Sequence, residues 1–294
     1  MSKVLFYISL PFIYLLSILP FPVLYLLSDG MYVLLFYIVG YRKDVVLKNM
    51  QNSFPDKSMD ELLVLRKRFY KYLCDLFLEV FKTLTISKPA MIKHCWFDPA
   101  TKALVEKLAD ERRSFIMVLG HLGNWEWGGN TFSLQLRHQL YVIYHPLSNK
   151  QVDKLVYDMR TRFGTKLIAM KDTFRAVLSK KDELFSPAFI ADQTPASAEK
   201  AYWTRFLNQD TAVFRGPAAI ARKTNYPVVY AHIKRRKRGY YEMFGELVTD
   251  DPSKLTEEEI LDIYTQKLER DIIAQPEVWL WSHRRWKHKK PAEA

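Results

Sequence analysis

The residues best placed for chemistry are a histidine and a glutamate in Met117–Asn130, MVLGHLGNWEWGGN. His121 follows an apolar run of strand length, and Glu126 comes five positions later, with Gly120, Gly123 and Asn124 around them. An imidazole that titrates near neutrality is a common general base, and a nearby carboxylate can fix its tautomer and stabilise the imidazolium that forms. Residues five apart on one helix diverge by about 140°, at about 100° per residue. The two can therefore meet only if His121 lies in a turn and Glu126 in the first turns of the following helix. Gly120 and Gly123 permit such a turn. By itself, the spacing more often marks a capped helix start with an incidental histidine.

The flanking segments supply the frame. Strand-length apolar runs at 114–120, 140–146, 166–170 and 185–192 alternate with helical patterns at 124–137, 149–164 and 172–180. That alternation predicts an α/β fold, a mixed and mostly parallel sheet flanked by helices. His121 then sits at the carboxyl end of a strand, the edge where open α/β sheets bind ligands. Asp192 and Gln193 end another apolar strand on the same expected edge, although polar residues there are often only turn formers. Residues 227–248 read as a hairpin joined at Arg238–Gly239, and an amphipathic helix covers Thr256–Ile273. Upstream, a helix from Asp44 stops at Pro55. Ser58 and Glu61 make a capping-box start for another, which runs to about Leu84.

The N-terminus points to lipid. Between Lys3 and Asp29 lie 25 uncharged positions, long enough to cross a hydrocarbon core as one helix kinked at Pro11, Pro20 and Pro22. A shorter apolar run, Met31–Tyr41, follows. Residues 1–41 thus read as a hydrophobic membrane anchor and 42–294 as a cytoplasmic α/β domain, since Arg42, Lys43 and Lys48 load positive charge just past the anchor. The chain carries 44 Lys plus Arg against 32 Asp plus Glu, a formal charge of +12, which calls for an anionic partner. A nucleic acid is excluded by the anchor and the lack of any recognition motif. An acidic membrane or an acidic carrier protein remains. The two cysteines, Cys74 and Cys95, suggest neither a disulfide framework nor a metal site. KRRKR at 234–238 reads as a solvated hairpin tip, with contact to an anionic surface as the alternative.

His121, four residues and an acid, after a strand on an anchored basic chain, resembles the motif of glycerolipid-type acyltransferases. GHLGNWEW is similar to that of the bacterial lipid A late acyltransferase family. YRKDVVLKNMQNSFP, YDMRTRFG, FIADQTP and PEVWLWSHRRWK agree with that family's blocks in order and spacing, from about Tyr41 to Lys287. The resemblance implies direct transfer of an acyl chain from acyl carrier protein to a hydroxyl of lipid A or its precursor at the bacterial inner membrane. No metal or other cofactor takes part in it. His121 would be the general base and Glu126 would hold and polarise it. Asn124, Arg160, Gly164, Asp192, Gln193, Arg215 and Gly216 would contact substrates. Arg160 would face a phosphate or the developing oxyanion, and Arg215 with the free amides of FRGP would hold phosphate. One departure stands out: Asn208 occupies a position where the pattern carries glycine, so the acceptor lipid is less defined than the reaction. Another acceptor, such as an aminolipid or lysophospholipid, is the neighbouring reading. A catalytically silent membrane-surface binder and a metal-dependent hydrolase using His121, Glu126, His145 and Asp192 are readings from other classes.

Overall fold

The structure, a computed structural model, describes residues 3–199 and 201–291. The helices are α1 (Lys3–Ile18), α2 (Phe21–Val33), α3 (Lys43–Ser53), α4 (Met59–Lys82), α5 (Lys88–His94), α6 (Pro99–Asp110), α7 (Trp125–Gln135), α8 (Lys150–Thr161), α9 (Thr173–Leu178), α10 (Gly216–Thr224) and α11 (Glu257–Ala274). The strands are β1 (Cys95–Phe97), β2 (Ile116–Leu119), β3 (Gln139–Tyr144), β4 (Lys166–Ala169), β5 (Phe185–Ile190), β6 (Tyr202–Phe206), β7 (Gln209–Val213), β8 (Val228–Lys237) and β9 (Tyr240–Thr249).

The central sheet has seven strands in the order β1-β9-β8-β2-β5-β3-β4. β8 and β9 form its antiparallel hairpin, and every other neighbouring pair runs parallel. This is the expected mostly parallel α/β sheet. Alternation along β2 divides the core. Met117 and Leu119 join Trp127 and Phe132 of α7, while Ile116 and Val118 join Ile220, Leu261 and Leu268 of α10 and α11. Both faces are covered, as a parallel sheet requires. The β6–β7 hairpin stands apart as a two-stranded ribbon. Its turn places Leu207 at φ 48° and Asn208 at φ 61°. Asn208 therefore takes the left-handed backbone that glycine would accept most freely, and its side-chain amide ties the turn to Ser53 O at 3.1 Å.

Two sequence expectations change in detail. The apolar N-terminus is two helices, not one kinked span: the chain breaks at Leu19–Pro20, where proline lacks an amide donor, whereas Pro11 stays within α1. The segment long and apolar enough to cross a membrane is instead Phe21–Val39, which includes Asp29 and ends in a π-helical turn, Leu34–Val39. Both N-terminal helices pack on α4. Buried Lys82 donates to Ser17 O and Leu19 O at 2.8 and 2.7 Å, satisfying carbonyls left open at the break. Secondly, the KRRKR tip is not simply solvated. Arg235 and Arg238 converge on buried Asp75 of α4, each at 2.6 Å, and Arg238 also reaches Asp29 of α2 at 2.7 Å. The hairpin thereby clamps α2 to α4. Trp279 and Trp281 of the C-terminal block are buried in the core.

Candidate active site

His121 lies in the turn between β2 and α7, as its chemistry requires. Gly120 passes so close to α11 that a Cβ there would stand 2.6 Å from Leu268 Cδ1. Gly123 has φ +65°, and its own Cβ would meet Ile233 O at 2.4 Å. The turn is also stitched to the C-terminal block: Gly123 N donates to Val278 O at 3.0 Å, and Leu122 forms a β-bridge with Trp279. Asn124 then caps α7, its side chain accepting from Trp127 N at 3.0 Å and donating to Glu79 at 2.8 Å. Glu79 is fully buried under donors from Tyr25, Tyr241 and Asn124, and burial raises its carboxyl above the ordinary value.

The carboxylate on His121 comes from the loop after β5, not from α7. Nδ1 of His121 stands 2.6 Å from Asp192 Oδ1, while His121 N and Trp279 Nε1 both donate to Asp192 Oδ2 at 2.8 Å. Burial by itself would push the Asp192 carboxyl up. The His121 imidazole and the hydrogen bonds from His121 and Trp279 outweigh it and hold the group at about 2. An ionised Asp192 assigns the proton to Nδ1 and leaves Nε2 as the lone-pair nitrogen. Nε2 faces the side-chain amide of Gln193 at 3.3 Å, and the ring of Trp125 packs edge-on against the imidazole.

Glu126 occupies the first turn of α7, where the geometric condition for meeting His121 is satisfied, yet its carboxylate is bound elsewhere. Arg160 of α8 grips it through both Nε, at 2.9 Å, and Nη2. The expected Glu126–His121 hydrogen bond is therefore replaced by a fork-shaped Glu126–Arg160 pair, because a guanidinium offers two donors in the plane of a carboxylate. Desolvation opposes the charge on Arg160, but Glu126 more than offsets it and raises its pKa.

His121, Glu126, Arg160 and Gln193 line one cavity of about 450 Å³. Its deeper wall is apolar: Met117, Leu140, Ala188 and Met243 from the sheet, Phe132 from α7 and Met159 from α8. Gly128 and Gly129 of α7 form its roof, where larger side chains would fill the space.

The other expected contacts sit elsewhere. Asn124 is wholly buried as a cap and is not among the residues that line this cavity. Gly164, at φ +107°, closes the turn after α8, and its carbonyl accepts from Gln139 at 2.8 Å. Arg215 is ion-paired through Nη1 with Glu258 and Glu257 at the start of α11. Gly216 lines a second hollow, on the other side of the sheet. His145 lines the first cavity and bonds Pro146 O. Among the described residues no group of three or more His, Cys, Asp or Glu is placed to hold a metal. The roles of Trp125 and Trp279 were missed. Trp279 had a signal in its quoted block, but nothing in one dimension aims an indole at Asp192.

Comparison with known proteins agrees with this frame. Residues 1–288 match the family described as bacterial lipid A biosynthesis acyltransferase. The chain is 24% identical over 272 residues to a lipid A biosynthesis lauroyltransferase of Escherichia coli (strain K12), covering 92% of this chain and 87% of the relative. It is 22% identical over 278 residues to a lipid A biosynthesis palmitoleoyltransferase of the same organism, covering 94% and 89%. A lipid A biosynthesis acyltransferase of Shigella flexneri matches with the same identity and coverage. The chain belongs to the bacterial lipid A biosynthesis acyltransferase family.

Proposed function

We propose that this acyltransferase moves a fatty acyl chain from the thioester of acyl carrier protein to a hydroxyl of a lipid A precursor, with His121 as general base. The carrying observation is the His121–Asp192 pair on the wall of an apolar cavity. The acyl chain lies in that cavity, whose volume falls in the range of roughly 300–1,000 Å³ common for ligand sites. The acceptor hydroxyl displaces the long Gln193 contact and meets His121 Nε2. Its proton passes to Nε2 as its oxygen bonds the thioester carbonyl carbon, Asp192 stabilising the imidazolium. The C–S bond then breaks and the proton leaves with the thiol. Arg160, steered by Glu126, supplies positive charge to the carbonyl oxygen as it becomes anionic. The net charge of +12 suits an acidic carrier protein. The catalytic part faces the cytoplasm of a bacterium, on the side of Arg42, Lys43 and Lys48, with α1 and α2 in the inner membrane.

Lipid mass spectrometry tests this reading on cells with the gene deleted and complemented by wild type or His121→Ala. Loss of one acyl chain from lipid A, restored only by wild type, is expected. Restoration by His121→Ala would refute the mechanism, whereas a chain missing from another lipid would refute only the acceptor.

A further inference from the structure

The second hollow lies across the sheet from the first. It measures about 290 Å³ and is bounded by Phe189 of β5, Phe214, Ile220 of α10 and Phe174 of α9. The sheet separates the two hollows except at its carboxyl edge, where Ile143, Met170 and Ile190 belong to the walls of both. Two apolar hollows thus meet at the carboxyl edge of the sheet, the second lined by Ala191 beside Asp192. The proposed acyl chain uses one.

We propose that the second hollow takes a hydrocarbon chain of the acceptor lipid, an inference that rests on the acyl-transfer reading. Three features favour this occupant. The walls are almost wholly apolar: Lys171 and Thr173 carry their side-chain polar groups, and the Thr173 hydroxyl is already committed to Met170 O at 2.9 Å. A pantetheine arm, with two amides to satisfy, would lose hydrogen bonds there. The rim is apolar and open to solvent, with Phe174 51% and Met170 49% exposed, a surface suited to a chain sliding in from a bilayer. Lys171 is exposed on the same rim and complements a phosphorylated headgroup left outside. A chain seated there would place its own head towards the edge that carries His121, where Ile143, Met170 and Ile190 line both hollows. Donor and acceptor then converge from opposite faces of one sheet, and neither blocks the other.

The test uses the full chain in detergent micelles with fatty acyl carrier protein as donor. Two hydroxylated glycolipid phosphates of identical headgroup serve as acceptors, one bearing hydroxydodecanoyl and the other hydroxybutanoyl chains. Ala219, half-buried on the groove wall, is replaced by Phe to fill it. Ala219→Phe is expected to lower kcat/KM for the long-chain acceptor by about a hundredfold and for the short one by less than about threefold, since the lost contacts are methylenes. Phe174→Ala, at an exposed position that does not endanger folding, is expected to raise KM for the long-chain acceptor by about tenfold while the KM for donor stays unchanged. Equal losses on both acceptors, or no loss on either, would overturn the proposal. So would a shift in donor KM or donor chain-length preference, which would hand the hollow to the thioester substrate. If His121→Ala is inactive while Ala219→Phe and Phe174→Ala behave as wild type, the groove assignment alone fails. An active His121→Ala would bring down the acyl-transfer reading beneath it.

Discussion

Asp192 receives three donors on two oxygens, and each fixes something different. The His121 amide holds the turn, the indole of Trp279 holds the carboxylate plane, and Nδ1 of His121 takes the orientation that results. Asp192→Asn keeps the shape but can leave the wrong tautomer on His121, so kcat should fall by roughly 10³–10⁴ with little change in KM, measured by steady-state kinetics. The same carboxylate links stability to pH. Its folded pKa, about 2, lies below the 3.8 of the free side chain. Its contribution, about 2 kcal/mol, is therefore complete above the unfolded value and is lost as pH falls from about 4 towards about 2. Denaturant midpoints of wild type and Asp192→Asn should accordingly converge over that window, and a constant gap would contradict the linkage. His121 was legible from its glycines. Its partner was not, because sequence spacing offers Glu126 five residues away, whereas the fold delivers Asp192 from 71 residues downstream.

Elements were readable where local chemistry sets the boundary. Ser58 and Glu61 form a reciprocal capping box at the start of α4, and Thr256 and Glu259 do the same for α11. β1, three residues long, and α5, seven, carry too few positions to show a period, and their place comes from pairing with β9. The strand order explains the missed pair. β5 inserts between β2 and β3, so the loops after β2 and β5 are neighbours although the strands β3 and β4 and the helices α7, α8 and α9 lie between β2 and β5 in sequence. The turn after β2 tolerates little change. Gly123→Ala would combine a left-handed residue with a Cβ driven into the Ile233 carbonyl, and should cost at least about 2 kcal/mol. Thermal or denaturant unfolding would measure it, and a neutral effect would mean the turn can relax.

At the scale of the whole molecule, the chain is held together by contacts between its ends and its middle. The N-terminal helices are tied to α4 by Tyr25–Glu79, Ser28–Asp75 and the Lys82 amine, and to the β8–β9 tip by Arg238. These polar links hold α2 against α4 and the β8–β9 tip. With a cytoplasmic body, protease added outside spheroplasts should leave residues 42–294 uncut until the membrane is opened with detergent. Cleavage from outside would reverse the orientation. The other tie is the C-terminal block, whose Val278 carbonyl and Trp279 indole complete the turn of His121 and the seat of Asp192. Translation proceeds from the N-terminus, so a nascent chain has its hydrophobic helices, His121 and Asp192 well before it has residue 279. A chain cut before residue 278 would therefore keep its apolar helices but lack the two contacts that brace the turn of His121 and the seat of Asp192.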